Sequence, residues 1–108
     1  MTVQEILKNE IFKPVVLPEP KREVTGVYIG DLLSWVMGRA SSGDAWITIM
    51  SNLNILAVAT LSDAACIVLA EGVKLEESVI NTAAEREINI ISTDKSAYEA
   101  ALALSELI

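Results

Sequence analysis

Histidine is absent from this chain, and with it the commonest general base and metal ligand. What remains with chemical capacity is one thiol and a scatter of carboxylates, hydroxyls and amides, and these recur at one kind of place. Gly30 and Asp31 follow the apolar run VTGVYI, and Ser51, Asn52 and Asn54 follow AWITIM. Glu71 and Gly72 follow ACIVLA, while Ser92, Thr93 and Asp94 follow INII. If each run is a strand of one parallel sheet, all of these residues gather on a single rim. Ligands of open α/β sheets bind beyond the carboxyl ends of the strands, so this rim is the candidate binding site. Helices starting after 31, 52 and 93 would point backbone N–H groups at it and favour an anion. Asp, Ser, Thr and Asn are also the standard helix caps, so a purely structural role competes at every position.

Other chemistries find no support. No Gly-x-x-x-x-Gly-Lys-Ser/Thr phosphate loop is present, and the Gly26/Gly30 spacing is not a dinucleotide fingerprint. Cys66 sits within an apolar run, which predicts a buried structural thiol rather than a nucleophile. Asp31 and Asp44 fall at opposite ends of their strands and are not expected to form a carboxylate pair. Trp35 and Trp46 read as core or interface anchors. No catalytic residue, cofactor or metal ligand is therefore assigned.

Charge narrows the partners. Net charge is −7, and residues 24–108 carry only Arg39, Lys74, Arg86 and Lys95 against eleven acids. Such a surface repels phosphate backbones, so nucleic acid is not an expected partner. No apolar run approaches the roughly 18 residues of a membrane span. The N-terminal MTVQEILKNE lacks the charge-then-apolar order of a signal peptide. With a single cysteine, these features predict a cytoplasmic protein. Hydrophobic residues reach 52% and mean hydropathy is +0.43. That is much for a chain of 108 residues to bury alone, so a homodimer is expected.

The elements that must position the rim follow from periodicity and punctuation. Thr2 and Glu5 form a capping box for a short helix at 2–9. Residues 11–17 are β-branched but contain Pro14, which demotes them to an edge strand. An extended connection at 18–21 leads to a strand at 23–29, where Gly26 hints at a bulge or close approach. Asp31 is placed to cap a helix at 32–37 that Gly38 ends. A strand at 45–50 precedes a helix at 53–61, and a strand at 65–70 precedes an amphipathic helix at 75–87. A last strand at 88–91 leads to a helix at 95–107 capped by 92–94. The helix at 53–61 is apolar nearly all round, as if covered on both sides. Leu53, Leu56 and Val58 are accordingly the predicted dimer interface. Strands alternating with helices predict one three-layer α/β/α domain over residues 1–108, on a mostly parallel sheet of about five strands with a mixed edge.

The runs KREVTGVYIGDLLSWVM, GDAWITIMSNLNILAVATLSDAACIVLAEG and INIISTDKSAYEAALAL resemble the DRTGG domain across nearly the whole chain. The signature maps onto Arg22, Thr25 and Gly26, with Lys21 in place of its Asp and Val27 in place of its second Gly. The resemblance implies an α/β domain similar to the N-terminal domain of HPr kinase/phosphorylase. It also implies a regulatory or dimerising role, because the family occurs between other domains in phosphate acetyltransferases and regulatory pyrophosphatases. The expected function is thus a non-catalytic regulatory module sensing a small metabolite or nucleotide at the rim. A pure protein–protein interaction subunit, with an unknown protein partner, is the alternative, and a small kinase-like transferase is the third.

Overall fold

Each of the two central strands is buried at every position, because helices cover both faces of the sheet. In the computed structural model, which describes residues 1–108, the first elements are α1 (Val3–Ile6), β1 (Lys13–Val16), β2 (Gly26–Ile29) and α2 (Leu33–Arg39). They are followed by β3 (Asp44–Thr48), α3 (Asn54–Ser62), β4 (Cys66–Leu69), α4 (Glu77–Glu85), β5 (Ile90–Ser92) and α5 (Ala97–Leu107). The strand order is β1-β5-β4-β3-β2. Strands β2 to β5 run parallel to their neighbours, while β1 pairs antiparallel with β5. The architecture is the expected mostly parallel sheet with a mixed edge.

Alternate residues of each strand face opposite layers. Ala45, Ile47, Cys66, Val68 and Ile91 pack with Val3 and Ile6 of α1 and with Ala100 and Leu104 of α5. Trp46, Ile67, Leu69 and Ile90 pack with Val36 of α2, Ile55 and Leu56 of α3, and Val79 and Ala83 of α4. Burial of one such side chain stabilises the fold by about 1.5–3 kcal/mol. Parallel strands laid down in chain order with right-handed crossovers put α2, α3 and α4 on the same face. Helix α5 is not a crossover, and it folds onto the other face beside α1.

Several element ends differ from the sequence-based expectation. The first helix is shorter than 2–9, although the Glu5 carboxylate accepts from Thr2 N at 2.8 Å as a capping box requires. Asp31 does not cap α2. Leu32 is the N-cap, without a side-chain bond, and Asp31 instead reaches across to the next strand. Gly38 lies inside α2 rather than ending it, and Ala40 is the C-cap. The cap of α5 is Ser96, whose hydroxyl accepts from Glu99 N at 3.1 Å, so residues 92–94 are free of that task.

Helix α3 requires the larger correction. Leu56 is fully buried and Val58 is 7% exposed, both within the core of their own chain. They therefore cannot form an outward dimer face as expected. The helix is apolar because sheet lies beneath it and α2 beside it. Leu53 is the one residue of that set left at the surface, at 48% exposure.

Candidate functional site at the strand carboxyl ends

Strand β4 ends at Leu69, and its chain turns toward α4 through Glu71 at φ 60° and Gly72 at φ 71°. Two consecutive left-handed residues make the turn sharp, and the second is a glycine, which adopts that conformation without steric cost. Strand β5 ends at Ser92, and its chain leaves for α5 on the opposite face. The two loops are sewn together at their base. Thr93 N donates to Leu69 O at 2.8 Å, Gly72 N to Thr93 O at 3.0 Å, and Glu71 N to Lys95 O at 2.8 Å. Beyond that seam they diverge, and a crevice opens between them, as at the switch points of doubly wound sheets. Its third wall is the start of β1, where Lys13 pairs with Ser92. The hollow measures about 660 Å³ and is lined by Ile11, Val15, Leu69, Val73, Leu75 and Ile80 on its apolar side. Ser92, Thr93, Glu10, Lys13, Lys74, Asp94 and Lys95 supply its polar side. Both the size and the mixture suit a small-molecule site.

A second hollow of about 670 Å³ lies between the β3–α3 loop and α4, lined by Ser51, Asn52, Leu53, Glu76 and Thr82, among others. Lys74 borders both hollows. The rim predicted as one site is thus divided in two. Ser92 and Thr93 fall in the first part and Ser51 and Asn52 in the second. Asn54, Glu71 and Gly72 line neither: Asn54 N donates to the Asn52 side chain at 2.9 Å, and the other two shape the turn. Gly30 and Asp31 also lie outside both. The Gly30 carbonyl accepts from Trp46 Nε1 at 2.9 Å. One Asp31 oxygen accepts from Thr48 Oγ1 at 2.8 Å and from Ile49 N at 2.9 Å, which satisfies it within the fold. The charged crevice residues that sequence reasoning missed are Glu10, Lys13, Lys74 and Lys95.

The model of the DRTGG domain family matches residues 18–107. This chain belongs to the DRTGG domain family. Among solved structures it is similar to the CBS and DRTGG domains of the regulatory region of a Clostridium perfringens pyrophosphatase, complexed with the activator diadenosine tetraphosphate. The TM-score is 0.73 at 16% identity, over 95% of this chain and 45% of that one. The likeness is therefore one of fold, and the chain spans less than half of its neighbour's length. No curated protein matches the sequence significantly.

Arg22, Thr25 and Gly26, onto which the sequence reading maps the DRTGG signature, stand at the other end of the sheet. Arg22 Nη1 lies 3.1 Å from Asp63 Oδ1, and Nη2 donates to the Asp63 carbonyl at 3.0 Å. The Ser42 hydroxyl donates to the second Asp63 carboxylate oxygen. These bonds, that of Ser42 first and that of Arg22 next, hold the Asp63 carboxyl below its ordinary range. Thr25 N donates to Gly43 O at 3.0 Å. Gly26 makes room for the Asp44 carboxylate, which would lie 2.5 Å from a Cβ there. The signature thus ties the lead-in of β2 to the turn before β3 and the end of α3. Nearby, Asn89 clamps the proline-rich connection: its Oδ1 accepts from Glu19 N at 2.9 Å, and its Nδ2 donates to Glu19 O at 2.8 Å and to Ala65 O at 3.0 Å. Cys66 is fully buried in β4, and burial pushes its thiol up to about 12. Trp46 is a core residue, whereas Trp35 is 53% exposed with the Arg39 guanidinium 3.7 Å over its ring. No helix is long and apolar enough to cross a membrane.

Proposed function

We propose that this DRTGG domain is a non-catalytic regulatory module that responds to a small metabolite or nucleotide held between the β4–α4 and β5–α5 loops. The observation that carries the reading is the 660 Å³ crevice, walled by segments leading to both helical layers and to the edge strand. An occupant would bridge three segments that the fold joins at their base, so binding would stiffen α4 against α5. The occurrence of a DRTGG domain beside CBS domains in the activator-bound regulatory region of the pyrophosphatase supports a regulatory role for a domain of this fold. The reading assigns no catalytic residue, and the one thiol is held protonated inside the core.

Thermal unfolding against a metabolite library tests this reading. A ligand present at about 100 times its Kd adds about 2.7 kcal/mol of stability. For a domain of this size that raises the midpoint by roughly 10–20 °C. Val73→Trp, which fills the crevice from its wall, should abolish the shift while leaving the fold intact. A library without effect, together with a native mass equal to the bare chain, would sink the proposal.

A second reading, an interaction subunit that pairs with itself, is favoured by the apolar surface at Leu32, Trp35, Leu53 and Leu61, exposed by 60%, 53%, 48% and 69%. Under it, Leu53→Asp converts a dimer mass to a monomer mass at unchanged stability. A wild-type chain that is already monomeric rules it out.

A further inference from the structure

The crevice carries charge of the opposite sign to the chain that forms it. The protein has eight Lys and Arg against fifteen acids, yet Lys13, Lys74 and Lys95 all line this one hollow, against Glu10 and Asp94. They come from three separate segments: the first residue of β1, the β4–α4 loop and the β5–α5 loop. None has a carboxylate within ion-pair distance, because the ion pairs of the fold are those of the Met1 ammonium with Glu23 and of Arg22 with Asp63. Three lysines that line one hollow without a carboxylate partner lower the energy of an anion placed among them. Thr93 adds a hydroxyl whose oxygen already accepts from Lys95 N at 3.1 Å, leaving its proton to donate.

Building on the reading of the crevice as the ligand site, we propose that its ligand is a phosphorylated metabolite whose phosphate sits among Lys13, Lys74 and Lys95. Lysine supplies point charges without the planar fork that selects carboxylates, and it is a common phosphate binder. A phosphomonoester has three terminal oxygens, one acceptor for each of the three ammonium groups, where a monocarboxylate has two. The apolar wall of Leu69, Val73 and Ile80 contains no aromatic ring. Base stacking therefore contributes little, and the phosphate, rather than a particular base, dominates recognition.

The test is an amide-shift titration of the ¹⁵N-labelled full chain at constant ionic strength, with inorganic pyrophosphate, sodium acetate and the neutral probe 1-hexanol. Pyrophosphate is expected to shift the amides of residues 72–74 and 93–96 saturably, with acetate much weaker. Lys74→Gln or Lys95→Gln should each weaken pyrophosphate about tenfold or more, as loss of one charge-assisted contact requires. Lys21→Gln, far from the crevice, should leave it unchanged. Shifts that spread over the surface, or that ignore the two variants, mean an adventitious ion only and overturn the proposal. If hexanol shifts these amides and pyrophosphate does not, the crevice reading stands and the phosphate assignment falls. If neither does, both fall.

Discussion

Replacing Gly26 with Ala asks whether the family signature is a strut or part of a binding site. An ideal Cβ at Gly26 would lie 2.5 Å from Asp44 Oδ1, closer than real Cβ atoms come. Asp44 has little freedom to retreat: it is 8% exposed, and its other oxygen accepts from Ser41 N at 2.8 Å. Relief must come from swinging the carboxylate off Ser41 N or from pushing the start of β2 away from β3. The first loses a charge-assisted bond of about 1.5–3 kcal/mol, and the second is overpacking, also about 1–3 kcal/mol. Reduced freedom of the unfolded chain offsets about 0.4–1 kcal/mol of either loss. The net destabilisation is about 1–2 kcal/mol, a fall in melting temperature of roughly 5–15 °C. Gly38→Ala is the matched control, because nothing lies within 4 Å of its ideal Cβ and it sits inside a helix. It should stabilise by about 0.5–1 kcal/mol. Thermal and urea unfolding followed by circular dichroism measures both, with the urea slope checking that the unfolded reference is unchanged. A Gly26→Ala protein as stable as wild type would refute the steric argument. If it also lost its response to ligands, the signature would belong to a binding site instead.

Acid should loosen the same end of the molecule. The Asp63 carboxyl is held low by the Ser42 hydroxyl and Arg22, so its folded pKa lies below that of the unfolded chain. Its contribution is present above the unfolded value and is lost as pH falls through the folded one. Asp63→Asn, which keeps a residue tolerant of the left-handed φ of 55°, should flatten the fall in stability below about pH 4, as read from urea midpoints across pH. Cys66, fully buried and with its thiol raised to about 12, should react with a thiol reagent only as fast as the domain opens. Labelling that matches a free thiol in native buffer would contradict the burial of β4.

The layers, the chain order of the elements and the edge position of β1 were legible because each rests on a local signal. Pro14 marked an edge strand, and the unbroken ACIVLA marked a strand covered on both faces. What was not legible depends on contacts across the sheet. Asp31 looks like a cap in one dimension, yet the parallel register brings Thr48 and Ile49 N within reach, and two donors from the next strand outbid a helix start. Leu56 and Val58 looked like surplus apolar surface because periodicity cannot distinguish a helix flanked by a neighbouring helix from one flanked by a second subunit.

The candidate site shows the same division. That polar residues follow strands is written along the chain, but which loops adjoin is not. Residues 51–52 and 92–93 ended in separate hollows because α4, descending from the β4–α4 loop, stands between them. The lysines were invisible for a related reason. Lys13 precedes its strand, and only the antiparallel pairing of β1 with β5 carries it to the carboxyl rim opposite Ser92. Lys74 and Lys95 lie in loops just ahead of the helix N-caps Glu76 and Ser96, where an isolated lysine reads as ordinary solvated surface. Their meaning comes from convergence of three segments on one hollow in an otherwise acidic protein, and convergence is a property of the fold.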